Sequence, residues 1–269
     1  MGDWASYWRS ADQPLEVMHA HFEAHTYAPH SHDAYSFGVT EMGAQAFTCR
    51  GEQRTSVAGM VMAFNPDDPH DGHAATEDGF TYRIVHIGPS LVGDLLTELT
   101  GSPTLPLFAD PVLHDPVLAQ ALLRFHRVAS GGGSTLARDE ALAGAVAAMV
   151  GRGARSTPTI RAVDGGQHLA ALVRSALQDR YLEDLSAATL ASLTGTSRFA
   201  VYRAFRAAYG MSPSGYQRLL RLRAARNLLA DGVAPAEAAS LSGFADQAHL
   251  TRWFRRCYGI TPGTYRSAG

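Results

Sequence analysis

Lysine is absent: all 23 basic residues of this 269-residue chain are arginine. The planar, five-donor guanidinium suits phosphate and guanine, and a bias of genome composition accounts for the substitution equally well. Cysteine is scarce. Cys49 and Cys257 are the only two, which excludes a disulfide framework and a thiolate zinc cluster. No apolar run is long enough to span a bilayer, and no charged-then-apolar leader opens the chain, so a soluble cytoplasmic protein with no membrane partner is expected.

What is present is unevenly spread. A net charge of −2 conceals a basic half and an acidic half. Residues 166–269 hold 13 Arg against 6 acidic residues, a balance of +7, and residues 1–165 hold 10 Arg against 19, a balance of −9. Only one half is then suited to a polyanion, unless the arginines merely decorate solvated helix faces. At this length the chain can bury two separate cores.

The first ~110 residues are broken into short runs rich in Gly, Pro, His and aromatics. Tyr35–Met42, Gln45–Arg50, Met60–Phe64 and Phe80–Ile87 read as strands of a sandwich or small barrel. Helical texture follows at Leu91–Leu99, Val112–Val128 and Leu136–Met149, with a break at Ser130–Ser134. Residues 151–167 read as a linker, and everything after His168 as helix. The expected fold is a two-domain α+β chain. It has a barrel over 1–110, a helical segment over 111–150, the linker over 151–167 and an all-helical domain over 168–269.

The last ~80 residues repeat themselves. A shift of 49 positions aligns Arg203-Ala-Phe205-Arg206 with Arg252-Trp-Phe254-Arg255, Tyr209-Gly210 with Tyr258-Gly259, Pro213 with Pro262 and Tyr216 with Tyr265. Leu193-Thr194-Gly195 matches Leu241-Ser242-Gly243 at a shift of 48. Each copy reads as a short helix, a glycine turn, a capping residue (Ser197 or Asp246) and a longer helix. That is a helix-turn-helix unit, whose second helix can enter a major groove.

Spacing assigns faces to those second helices. Val201, Phe205 and Ala208, and their mates Leu250, Phe254 and Cys257, fall on a core face, which makes Cys257 a packing residue. The opposite face carries Arg198, Phe199, Tyr202, Arg203 and Arg206 in the first copy. In the second it carries Gln247, Ala248, His249, Thr251, Arg252 and Arg255. Such residues can read base edges or hold phosphates of double-stranded DNA. A single helix from Pro213 to Asp231 joins the copies and buries Tyr216, Leu219, Leu220, Ala224 and Leu228. At roughly 16–18 residues it spans about 25 Å, a spacer that suits two reading helices on one side of a duplex. Arg218, Arg221, Arg223 and Arg226 stud it, as phosphate contacts or as solvated surface.

The run Gly243-Phe-Ala-Asp-Gln-Ala-His-Leu-Thr-Arg-Trp-Phe-Arg-Arg256, followed by Tyr258-Gly-Ile-Thr-Pro-Gly-Thr-Tyr-Arg266, resembles the DNA-binding domain of the AraC/XylS regulators, over residues ~168–266. The resemblance implies seven helices, promoter binding and activation through RNA polymerase in a bacterial cytoplasm. The short side chain of Ala248 limits what the second unit can read.

The N-terminal half resembles the cupin-type ligand-binding barrel of the same family, through Pro29-His-Ser-His-Asp33 and Asn65-Pro-Asp-Asp-Pro-His70. It implies a small-molecule effector, with His30, His32, Tyr35, Phe37, His70, Tyr82 and Arg83 as candidate contacts, and the helices over 91–149 as a homodimer interface. His30, His32 and His70 are a possible metal triad. Enzymatic cupins add a carboxylate four or five residues after the second histidine, where this chain has Ser36 and Phe37, so no cofactor is assigned. Ligand contact, metal binding and plain packing all remain open for these histidines, whereas His19, His21, His25, His73 and His86 lack matching spacing and default to packing or solvent. Besides a ligand-responsive regulator, a metal-dependent cupin enzyme with a DNA-binding tail and a ligand-free architectural protein remain alternatives.

Overall fold

A computed structural model describes residues 2–154, 166–258 and 260–267. The chain forms two compact units, one of Met1–Gly133 with Ala141–Ala162 and the other of Ser134–Glu140 with Val163–Gly269.

Among the described residues the first unit is built on nine strands: β1 (Trp4–Arg9), β2 (Leu15–Phe22), β3 (Tyr27–His30), β4 (Tyr35–Cys49), β5 (Glu52–Val57), β6 (Val61–Phe64), β7 (His70–Ala74), β8 (Phe80–Ile87) and, beyond α1 (Pro89–Thr100), β9 (Val112–Leu113). The order β1-β2-β8-β4-β6-β9 makes one face, and β3-β7-β4-β5 the other. The two runs expected at Tyr35–Met42 and Gln45–Arg50 are one 15-residue strand. Its first half pairs with β8 and β6 and its second with β5 and β7, so β4 belongs to both faces. The changeover follows a register shift between Thr40 and Met42 and falls at Gly43, where φ is +69° and a Cβ would lie 2.0 Å from the Gly79 carbonyl oxygen. A side chain there would collide with backbone, so glycine lets one strand bend between faces.

The helix expected at Val112 begins later. Val112 and Leu113 pair with Met62 and Val61. Helix α2 (Pro116–Ser130) starts only where the Asp115 carboxylate accepts from the N–H groups of Val117 and Leu118, with Pro116 at its first position. Its apolar face packs on β8, β4, β1 and β2. Helix α3 (Thr135–Gly153) extends past Met149. Of the expected linker, residues 155–165 lie outside the described residues.

The second unit holds seven further helices among the described residues: α4 (Gly166–Asp179), α5 (Ala187–Thr194), α6 (Arg198–Tyr209), α7 (Pro213–Ala230), α8 (Pro235–Leu241), α9 (Gln247–Tyr258) and α10 (Pro262–Arg266). The repeat is visible in the caps. Ser197 accepts from Ala200 N and Asp246 from His249 N, and one step on, Ser212 and Thr261 do the same ahead of the matched prolines Pro213 and Pro262.

Two cores result. Leu169, Val173, Leu177, Leu190, Val201 and Phe205 form one, and Leu222, Ala225, Leu229, Leu250 and Phe254 the other. α7 serves both: Tyr216 and Leu220 pack on the first, Leu219 and Leu228 on the second. It therefore shows no single apolar stripe, and its deepest residues are Gln217, Leu222, Ala225 and Leu229, whereas the expected Tyr216, Leu219, Leu220, Ala224 and Leu228 are only half-buried. The segment 134–140 completes the first core with Leu136. There Asp139 accepts from Ala187 N at 2.8 Å and the buried Glu140 accepts from both the N–H (2.9 Å) and the hydroxyl of Ser214. Each carboxylate thus meets orphan donors at a helix N-terminus.

Candidate nucleic-acid interface and ligand cavity

The second helices of the two repeats bury one face and present the other. Val201 and Phe205 on α6, and Leu250 and Phe254 on α9, are fully buried. The third members of those expected faces are not: Ala208 and Cys257 are exposed. At the end of each helix the tyrosine one residue later reaches back instead, with Tyr209 4.7 Å from Phe205 and Tyr258 4.5 Å from Phe254, ring to ring. A small side chain in the last turn falls short of a core that a long aromatic ring can still cover. Cys257 is therefore surface, not packing.

On α9, Gln247, Ala248, Thr251, Arg252 and Arg255 line one open depression. His249 does not join them. It is half-buried against Phe244, 5.4 Å away in a T-shaped pair, and this burial holds its pKa below the usual histidine range. The turn before α9 needs Gly243, where φ is +80° and a Cβ would sit 3.0 Å from Arg221 Nε.

On α6 the expected face divides. Arg206 is exposed and donates to the Tyr202 hydroxyl at 2.8 Å, and Arg198 is half-exposed. Phe199 is buried, which takes it out of reach of a base. Arg203 is set back: its guanidinium lies 6.0 Å from the Phe199 ring centre, beside Gly166 and Gln167, and burial lowers its pKa. The helix N-terminus explains the misreading, since a side chain in the first turn leans back over the preceding loop.

The arginines of α7 are not alike either. Arg221 donates to four backbone carbonyls: Tyr181 at 2.7 Å, Gly243 and Glu183 at 2.8 Å, and Leu182 at 3.4 Å. One turn earlier the buried Gln217 donates to Tyr181 and Glu183. Arg221 thus ties the loop before the first unit to the turn of the second, and is no phosphate contact. Arg218 lies 3.7 Å over Trp253 and Arg226 5.7 Å from Tyr258, whereas Arg223 is exposed. Sequence alone did not single out Gln217 and gave Arg221 only as a phosphate contact or solvated surface; a polar pair at i, i+4 on the same helix face was the available signal.

Inside the barrel a cavity of about 210 Å³ is lined by His30, His32, His70 and Tyr82 from the expected set. Tyr35, Phe37 and Arg83 lie elsewhere. Phe37 packs on Phe108 and Tyr35 donates to the Pro106 carbonyl, while Arg83 pairs with Glu41 and donates to His126. Strand alternation is the reason. On β8 the cavity takes Tyr82, Ile84 and His86, so Arg83 must point away, and from β4 it takes Gln45 and Phe47, while Ser36 bonds His86 Nδ1 at 2.8 Å. His86, which its spacing assigned to packing or solvent, is therefore a cavity residue, together with Gln45, Phe47, Met62 and Phe64.

His30 ends β3, His32 follows it in the loop, and His70 opens β7 directly opposite His30. One nitrogen of each lies within 4.8 Å of the others, so the three could hold a metal ion. The Nδ1–H groups of His30 and His70 donate to the carbonyls of Ala28 and Asp68, both at 2.8 Å. The ring of His70 stacks on Phe64, 4.0 Å away at 1°. The loop beneath is fixed by Asp68, whose carboxylate accepts from Arg50, Asn65 N and Asn65 Nδ2. Burial pushes His70 and His86 down to about 4 and also lowers His32, leaving uncharged rings near neutral pH.

A family model for the AraC-like ligand-binding domain matches residues 13–146, and a helix-turn-helix domain model matches 190–268. The HTH-type transcriptional regulator YbfI of Bacillus subtilis (strain 168) is 29% identical over 239 residues, covering 86% of both chains. The probable transcriptional regulator LumQ of Photobacterium leiognathi is 32% identical over 96 residues, 34% of this chain and 39% of that one. Among solved structures, a probable AraC family transcriptional regulator from Rhodopseudomonas palustris CGA009 matches 38% of this chain and 96% of its own at 27% identity, with a TM-score of 0.36.

Proposed function

Given that the chain belongs to the AraC family of transcriptional regulators, with its ligand-binding and helix-turn-helix domains both present, we propose that it binds promoter DNA under the control of a small molecule held in the barrel. The observation that carries this reading is the open face of α9, where Gln247, Thr251, Arg252 and Arg255 share one depression above a sealed core. Glutamine can pair with adenine, arginine with guanine or phosphate, and threonine can pack on a thymine methyl. In the first unit the base-facing set reduces to Arg198, Tyr202 and Arg206, with Arg203 available only if it swings out. The basic balance of residues 166–269 supports the phosphate attraction that brings the reading face to a duplex.

The cavity supports the effector role, since polar groups converge there from several strands within apolar walls. We further propose a homodimer formed through the helices that follow the barrel, activation through contact with RNA polymerase, and a cytoplasmic location. Among the described residues no helix is long and apolar enough to cross a membrane. The domain limits proposed are 1–110, 111–150, 151–167 and 168–269.

The test is selection of bound duplexes from a random pool by the full chain, followed by affinity against salt. A recurrent two-part motif and a steep fall in affinity with salt are expected. Binding without sequence preference would favour the architectural alternative, and no duplex binding at all would refute the reading.

A further inference from the structure

We propose that β1 is a self-pairing edge. Two copies of this chain join antiparallel through Trp4–Arg9, with Ser6 on the two-fold axis, so that two barrel sheets become one. The contact is separate from the helical dimer face proposed above.

Three observations carry it. The first is that the edge is open and unguarded. β1 ends the order β1-β2-β8-β4-β6-β9, and among the described residues no strand pairs with its outer side. Its residues are exposed or half-buried, with Trp4 at 36% and Tyr7 at 54% exposure. An open strand is a template for another, and natural edges are blunted by shortness, proline or charge. The barrel's other edges follow that rule. β9 has two residues, β3 contains Pro29, and β5 carries Glu52 and Arg54. β1 runs for six residues with no proline, no glycine and no charge before Arg9, and three of the six are aromatic.

The second is that the strand is complementary to itself. Asp3-Trp4-Ala5-Ser6-Tyr7-Trp8-Arg9 reads nearly alike in both directions, with opposite charges at its ends. Antiparallel pairing about Ser6 sets Trp4 against the partner's Trp8 and Ala5 against the partner's Tyr7. It also sets Asp3 against the partner's Arg9, and the two-fold axis makes each pair occur twice. Directly opposed residues must share a face, and these do. Trp4, Ser6 and Trp8 stand opposite His21, His19 and Val17 of β2 on one face, and Ala5, Tyr7 and Arg9 opposite Ala20, Met18 and Glu16 on the other. Cross-strand aromatic pairs and opposite charges are the contacts that stabilise a sheet. Sliding the strands by two residues either way loses both kinds, so the register is specified.

The third is that the strand is already ordered. Asp3 Oδ1 accepts from Glu23 N at 2.6 Å and Ala24 N at 3.2 Å. Arg9 Nε meets Glu16 Oε1 at 2.5 Å, and the Tyr7 hydroxyl donates to the same carboxylate. The Trp4 ring stands edge-on to His19 at 4.8 Å. A preorganised strand gives up little freedom on pairing. Tyr7, Met18 and Ile84 stand side by side across β1, β2 and β8 and line the cavity, so the joined edge runs beside it. The contact is small, and the association is therefore weak and concentration-dependent.

The experiment uses the full chain in a Cys257→Ser background, which removes the exposed native thiol. Ser6→Cys is incubated in a glutathione redox buffer. On the axis its two Cα atoms stand about 4.5–5.5 Å apart, within disulfide reach, and a covalent dimer is expected. Ala5→Cys is the control. Its own copy lies diagonally, about 7–8 Å away, so it should cross-link at least about 10-fold more slowly. Ser6→Lys sets two ammonium groups face to face only in the self-paired form. It should weaken association, read by sedimentation velocity, roughly 2–5-fold. Its melting temperature should not change, because Ser6 is exposed. If the helical face already makes dimers, the step read is from dimer to tetramer.

Cross-linking of Ser6→Cys no faster than Ala5→Cys would overturn the self-paired edge. So would association that Ser6→Lys leaves unmoved. Should Ser6→Lys melt early, the two cysteine variants decide by themselves. Duplex binding is untouched by either result, so the regulator reading stands or falls separately.

Discussion

Replacing Arg221 by Met should unfold the DNA-reading unit long before it disturbs the barrel. The guanidinium makes three bonds of 2.7–2.8 Å and one of 3.4 Å to backbone carbonyls. Bonds to a charged donor contribute roughly 1.5–3 kcal/mol each, and less where solvent reaches them. Gln217 still serves Tyr181 and Glu183 in the variant, so Gly243 and Leu182 are the carbonyls that lose their arginine donor, while the methionine stem preserves most of the packing. The expected loss is about 2–4 kcal/mol. At about 4–8 °C per kcal/mol for a domain of this size, that lowers its melting temperature by roughly 8–32 °C.

Of the chain's three tryptophans only Trp253 lies in this unit, so its fluorescence in a Trp4→Phe, Trp8→Phe background reports the transition. Arg221→Lys should fall between, because one ammonium cannot span the same carbonyls. A loss below about 0.5 kcal/mol for Arg221→Met would refute the reasoning. So would equal weakening on DNA carrying one half-site and DNA carrying both, since Arg221 is held to fix the second unit against the first.

Arg252→Ala should cost about 1–3 kcal/mol of duplex binding and relax preference at one base position, measured by competition between single-base variants of the selected site. Gly243→Ala should destabilise the second unit by more than about 1–2 kcal/mol, seen in the same Trp253 melt, from its positive φ and the approach to Arg221. His126, buried on α2, donates from Nε2 to the Met18 carbonyl and accepts from Arg83 at Nδ1, with His19 and Glu41 also facing it. Burial pushes its pKa down to about 4, so the folded state resists a proton that the unfolded chain accepts near 6.5. Its contribution is complete above pH 6.5 and is lost as pH falls towards 4, by up to about 3 kcal/mol. Melting of the barrel unit between pH 7 and 4.5, followed by near-ultraviolet circular dichroism, should show this slope reduced in His126→Gln.

The repeat made the second unit legible. Its caps, glycine turns and first two core positions per reading helix all stand where the 49-residue shift places them. Errors arose where period alone could not see the neighbours. Phe199 and His249 sit in first turns, where side chains fold back onto the preceding loop, and Ala208 and Cys257 sit in last turns that outrun the core. In the barrel, Tyr82 and Arg83 are adjacent on one strand and so face opposite ways, and only Tyr82 lines the cavity. The correct face required the register of β8 with β2 and β4, which depends on pairing between distant segments. The histidine triad was visible as a motif, but the carbonyls that set its tautomers, and His86 beside it, were not.

The two-sided character of α7 constrains how this family of heads can vary. One inserted residue would turn everything beyond it by 100° and exchange the wall of one core for that of the other. Deleting a residue does the same in the opposite sense. The distance between the heads can thus change only in whole helical turns, in steps near 5.4 Å, and a lineage that needs a different half-site separation must find it in bent DNA before it finds it in a longer rod.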